Sequence, residues 1–88
     1  MKTNAKKAFE ALKKLGAPVY EGRDWSGEYF ILSAEEWGNG EVIWADYWDG
    51  MNIPGWLFGV NPKVTKVLDK FGLVAEWINP GVLGVYDA

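Results

Sequence analysis

Two amphipathic helical patterns, separated by a long strand-like stretch, constrain the fold of this chain most strongly. In the first, apolar side chains recur every three or four residues until Gly16 and Pro18 stop the helix. In the second, Asn61 and Pro62 provide a cap and a first helical residue, and Gly72 follows the last apolar position. The residues expected to face the core are Phe9, Leu12, Val67, Leu68 and Phe71. The sequence therefore predicts two short helices, each burying one face.

The stretches outside these helices carry the aromatic and β-branched residues typical of strands. The predicted strands cover residues 19–22, 28–33, 41–48, 73–78 and 82–86. The resulting order is α-β-β-β-α-β-β, and 88 residues suit a single core. We therefore expect residues 1–88 to form one α+β domain with a mainly antiparallel five-strand sheet.

This predicted sheet has two apolar faces. Side chains alternate along a strand, so Val42 and Trp44 fall on one face of the third strand and Ile43 on the other. Two short helices can cover only one face of such a sheet. We expect the second face to be covered by the loop of residues 50–60, by curling of the sheet into a half-barrel, or by another molecule, with a second copy of the chain as the leading candidate.

Charge is distributed unevenly along the chain, although the net charge is only -3. Residues 1–20 have a balance of +4, residues 21–49 a balance of -7, and the remaining residues are neutral. The middle third is therefore the electronegative part of the protein.

Six tryptophans supply more flat apolar surface than so small a domain easily hides. The candidate binding residues are Asp46, Tyr47, Trp48, Asp49 and Trp56. Aromatic side chains build interface hot spots and ligand clefts, and an acid beside an aromatic ring suits a cation. The alternative is that Trp44 and Trp56 belong to the core and the acids are solvated.

Catalysis and metal binding are not favoured by the residue types present. The chain has no histidine and no cysteine, so a catalytic interpretation depends on paired carboxylates such as Asp46 with Asp49, or Glu35 with Glu36. Asp46, Asp49 and Asn52 lack the alternate spacing of a calcium loop, and the glycine-rich stretch of residues 55–59 lacks the lysine of a phosphate loop. We expect a protein that is not an enzyme and that uses no cofactor and no metal.

The partner is therefore expected to be a protein or a second copy of the chain, bound through a tryptophan-rich acidic sheet face. A small ligand or a cationic peptide in the aromatic and acidic cleft is the first alternative. A nucleic-acid mimic that occupies a DNA-binding protein is another, although a net charge of -3 is small for one. We expect no direct nucleic-acid partner, because the sheet segment is acidic.

Membrane insertion is not expected either. The longest uncharged apolar stretch, residues 50–60, is shorter than the roughly 20 residues that a membrane helix requires. The lysine-containing N-terminal segment lacks the continuous apolar run of a signal peptide. These features predict a cytoplasmic protein.

Overall fold

The computed structural model describes residues 1–21, 27–36 and 42–88. Its helices and strands are α1 (Thr3–Lys14), β1 (Val19–Glu21), β2 (Phe30–Ser33), a 3-10 turn (Gly50–Asn52), α2 (Pro62–Lys70), β3 (Leu73–Asn79) and β4 (Val82–Asp87). The predicted turn within residues 24–27 lies largely outside the described residues, as do Trp25 and Trp37. No helix in the described ranges is both long and apolar enough to cross a membrane.

The four strands form one antiparallel sheet in the order β1-β2-β4-β3. Phe30 pairs with Val85, and Val85 pairs with Ala75, so these three side chains share one face. The helices pack on this face, where the Phe9 and Phe30 rings pack edge to face with their centroids 5.2 Å apart. The core thus lies between one side of the sheet and the helix layer.

The prediction of five strands in the order α-β-β-β-α-β-β is wrong. The described sheet has four strands, and the predicted third strand at residues 41–48 is absent from it over its described part, residues 42–48. The α+β class and the antiparallel pairing are retained. The sheet is completed instead by direct pairing of β2 with β4.

The backbone of residues 44–46 pairs with another loop rather than with the sheet. Asp46 donates its N–H to the Gly59 carbonyl (2.8 Å), and Asn61 donates to the Trp44 carbonyl (3.0 Å). Ala45 and Val60 form an isolated bridge between these bonds. Alternating apolar residues fit any extended backbone with one buried side, so the pattern alone does not identify the pairing partner.

The helices agree closely with the sequence pattern. Asn61 Oδ1 accepts a hydrogen bond from the Lys63 N–H (2.9 Å), and Pro62 is the first residue of α2. Gly72 follows α2 with a φ of 71°. Of the predicted core residues, Leu12 and Leu68 are buried, while Phe9, Val67 and Phe71 are partly buried and pack against the core. Local capping chemistry is therefore sufficient to define α2, whereas α1 begins after Lys2 without a side-chain cap.

The second face of the sheet is partly covered by its own side chains. A methyl group on Gly84 would lie 2.6 Å from the Tyr86 hydroxyl and 2.9 Å from Ile78 Cδ1, so both side chains lie across this glycine. The loop of residues 50–60 contacts the helix-facing side of the sheet instead. Trp77 lies on that side, as does its pair Leu83. Its indole N–H donates to the Phe58 carbonyl (2.7 Å). These loop contacts lie on the helix-facing side, so they do not support the alternative in which the loop covers the second face.

Candidate functional site

The first part of the candidate site is a turn that follows residue 45. Asp46 Oδ1 accepts hydrogen bonds from the backbone N–H groups of Trp48 (2.9 Å) and Asp49 (3.0 Å). The Gly50 N–H then bonds to the Asp46 carbonyl (3.0 Å). An aspartate side chain that binds the following amides competes with strand extension. Asp46 thus turns the chain and presents Trp48 outward.

The second part is a tight hairpin turn formed by residues 57–60. Leu57 and Val60 exchange backbone hydrogen bonds of 3.3 and 3.0 Å, leaving two residues between them. Both central residues have positive φ, 53° for Phe58 and 79° for Gly59. Two-residue hairpins with this geometry favour asparagine followed by glycine. Phenylalanine in the left-handed region costs roughly 1–2 kcal/mol, so Phe58 occupies the turn against its own backbone preference.

The two turns cross at a backbone contact that only glycines permit. A Cβ on Gly50 would lie 2.7 Å from the Gly59 Cα, and a Cβ on Gly59 would lie 2.5 Å from the Asp46 carbonyl oxygen. Contacts this short require the backbones to move apart. Residues 45–50 and 57–60, which we call the two-turn platform, are therefore fixed to each other by backbone packing and by the pairing of residues 44–46 with 59–61.

Trp77 of β3 connects both turns to the sheet. Its indole ring packs edge to face against the Tyr47 ring, with 5.3 Å between the ring centroids. The Tyr47 and Trp48 rings pack in the same way, with centroids 5.2 Å apart. The Trp77 indole N–H bonds to the Phe58 carbonyl at the other turn. Edge-to-face aromatic pairs stabilise by about 0.5–1.5 kcal/mol beyond the burial of their area. One sheet residue thus holds the aromatic residues of the platform in place.

The platform exposes large apolar side chains although its backbone is well fixed. Trp48 is 74% exposed, Phe58 68% and Leu57 57%. Ile43 and Met51, which flank the platform in sequence, are also exposed. Scattered exposed apolar residues are common, whereas here several are concentrated in and beside the two turns.

A small cavity lies beside the first turn. It has a volume of about 190 Å³ and is lined by Ala34, Glu35, Ile43, Ala45, Asp46, Tyr47, Trp48 and Pro80. Its charged residues are two acids, and residues 42–61 contain no lysine or arginine. Pockets for drug-sized ligands are roughly 300–1,000 Å³. This cavity is the size and charge expected for one cationic side chain beside an aromatic ring.

The five candidate residues from the sequence do not form one group. Asp46, Tyr47, Trp48 and Asp49 lie together in the first turn. Trp56 is half-buried, and its backbone N–H bonds to the Ile53 carbonyl (3.1 Å). It does not line the cavity that borders the first turn. Trp44 is 3% exposed and belongs to the core.

Sequence reasoning missed three residues of this surface: Leu57, Phe58 and Glu35. Leu57 and Phe58 were assigned to an apolar loop, and Glu35 was considered only for catalysis. The available signal was Gly59, since a glycine in the second position of a two-residue loop between apolar residues is typical of a tight hairpin turn.

Comparison of the chain with protein-family models, with curated proteins and with solved structures gives no match. Within residues 1–21, 27–36 and 42–88, no group of three or more acidic, histidine or cysteine side chains is arranged to hold a metal ion. The function is therefore inferred from the geometry and charge of the platform.

Proposed function

We propose that this protein is a non-enzymatic interaction module whose two-turn platform binds a basic segment of a protein partner. The observation that carries this proposal is Phe58, an exposed aromatic residue at a turn position that disfavours it. Backbone strain persists where the surrounding structure imposes it, and it is concentrated at functional sites. A turn selected for stability alone favours asparagine at this position.

Charge selects the class of partner. Trp48 and Tyr47 line the small cavity with Glu35 and Asp46, and Asp49 is exposed in the same turn. A lysine or arginine side chain in this cavity gains both carboxylate attraction and contact with an aromatic ring. Apolar side chains elsewhere in the same segment would cover Phe58 at the second turn, as in interfaces with an apolar centre and a charged rim. An acidic partner would be repelled by the same residues.

Peptide binding tests this proposal. The probes are synthetic peptides with lysine and leucine, compared with peptides in which glutamate replaces every lysine, and affinity is measured by calorimetry. We expect the wild-type protein to bind the lysine peptides, with affinity that falls as salt is added. Trp48→Ala and Phe58→Asn should each weaken binding about 30-fold, as expected for hot-spot residues that contribute about 2 kcal/mol.

Two further readouts separate loss of contact from loss of folding. Phe58→Asn should raise the free energy of unfolding by about 1 kcal/mol while it weakens binding, because asparagine tolerates the left-handed region. Tyr20→Ala is the matched control, since Tyr20 is a half-exposed aromatic residue on β1. Equal binding of the glutamate peptides, or unchanged affinity in both platform variants, would contradict the proposal.

A further inference from the structure

We infer that β3 is a dimerisation edge, at which β3 of a second copy of this chain adds antiparallel to form a continuous eight-strand sheet. In the described part of the chain, β3 lies at one edge of the sheet and β1 at the other. β3 has seven residues and β1 only three. Short edge strands resist pairing with other chains, whereas long ones without lysine or proline invite it. The β3 sequence LVAEWIN contains neither.

The hydrogen-bond alternation identifies which backbone groups point outward. Ala88 donates its N–H to the Gly72 carbonyl (3.0 Å), which makes that pair a hydrogen-bonded one. In an antiparallel ladder such pairs alternate with pairs that are not hydrogen-bonded, so Val74 and Glu76 bond to β4. The N–H and C=O groups of Leu73 and Ala75 therefore face the open edge. Among the described residues, no backbone hydrogen bond to these outward groups is found.

Apolar side chains lie on both sides of this edge. Val74 is 38% exposed on the second face of the sheet. On the helix side, an apolar groove of about 80 Å³ is lined by Leu57, Phe58, Val60, Thr65, Leu68, Asp69, Leu73, Val74 and Ala75. A strand added to β3 would cover these residues as well as satisfy the outward backbone groups, which is the pattern of strand addition.

The single charged residue of β3, Glu76, limits the registers in which a second copy can pair. If Ala75 pairs with its counterpart across a two-fold axis, Val74 lies opposite the second copy's Glu76. Leu73 then lies opposite Trp77, and no like charges are directly opposed. A register shifted toward the β3 C-terminus would oppose Glu76 to itself, which is unfavourable. Because the interface uses the same residues on both copies, it closes at the dimer.

Analytical ultracentrifugation from micromolar to millimolar concentration tests the inference without any peptide present, because Leu57 and Phe58 belong both to the groove beside β3 and to the two-turn platform. We expect the wild-type protein to show a reversible monomer–dimer equilibrium. Ala75→Pro removes an outward N–H that has no partner in the monomer, so it should weaken dimerisation at least tenfold and leave the fold intact. Val74→Glu should have the same effect, because in this register it places a second acid directly opposite the second copy's Glu76.

Controls and an independent readout make the result specific. Leu15→Glu places the same charge at an exposed apolar residue that follows α1, and Trp48→Ala alters the platform; neither should change the dimer equilibrium. Hydrogen exchange should show the Leu73 and Ala75 amides exchanging rapidly when dilute and becoming protected at high concentration. A monomer throughout the concentration range would overturn the inference. So would a dimer that persists in both Ala75→Pro and Val74→Glu.

Discussion

At the scale of single residues, the platform depends on positions where the side chain is absent. Gly50 and Gly59 allow two backbone segments to meet at distances that no Cβ tolerates. Gly59 also needs its positive φ of 79°. Gly55 has a similar φ of 84°, but an added Cβ there would meet nothing within 4 Å. Alanine substitutions at Gly59 and Gly55 therefore separate the free-energy cost of a positive φ from the cost of a steric collision.

We predict that Gly59→Ala destabilises the protein by about 2 kcal/mol more than Gly55→Ala does. Both variants place alanine at positive φ, which costs roughly 1–2 kcal/mol. Only Gly59→Ala adds a collision with the Asp46 carbonyl, and overpacking costs about 1–3 kcal/mol. Urea unfolding of both variants measures the difference. Equal losses of stability would mean that the two turns are not held together by this contact.

At the scale of elements, Asn61 joins α2 to the segment that precedes the platform. Its Oδ1 caps the helix, and its Nδ2 donates to the Ile43 carbonyl (3.0 Å). The helix start and the path of residues 43–46 are thus set by one amide side chain. This connection explains how a segment outside the sheet is held beside the core.

We predict that Asn61→Ala lowers the free energy of unfolding by about 1–2 kcal/mol, from loss of the cap and of the bond to Ile43. Asn61→Asp is the matched control, because it retains the capping oxygen but not the amide donor. It should lose less stability than Asn61→Ala, as measured by thermal unfolding. If both variants lose the same amount, the bond to Ile43 and not the cap is what matters.

The elements also show how far the sequence alone predicts this fold. α2 was predictable because Asn61, Pro62 and Gly72 act within one or two turns of the helix. The third strand was not, because the alternation near Trp44 does not distinguish pairing with a sheet from pairing with residues 59–61. Trp48 could be selected from the sequence as a candidate site residue, but Phe58 could not, since its exposure depends on the φ of a turn that tertiary contacts impose.

At the scale of the whole molecule, a cluster of charged and polar groups joins distant parts of the chain. Lys2, just before α1, forms an ion pair with Asp87 at the end of β4 (2.7 Å). Tyr29, next to β2, donates its hydroxyl to the same carboxylate (2.8 Å). The hydrogen bonds from Lys2 and then Tyr29 lower the pKa of Asp87, and the bond to Asp87 raises the pKa of Lys2. The pair is exposed, so its contribution to stability is small.

We predict a small loss of stability in acid that depends on Asp87. A lowered folded-state pKa means that the contribution is present above the pKa of unfolded aspartate and is lost as pH falls through the folded-state value. For Lys2, the contribution is present below the pKa of unfolded lysine and is lost as pH rises through the raised value. The free energy of unfolding, measured with urea at a series of pH values, should fall less steeply in acid for Asp87→Asn than for the wild type. An unchanged pH dependence would mean that the pair contributes nothing to stability.

The sheet order has a consequence for how the chain folds. β1 pairs with β2, and β3 with β4, between strands close in sequence, whereas β2 and β4 come from distant parts of the chain. Local hairpins close with little loss of chain entropy, and long-range pairing is slower. We expect the two hairpins to form as separate early units. The pairing of β2 with β4, which places Phe30 opposite Val85 and joins the two hairpins, should then limit the folding rate.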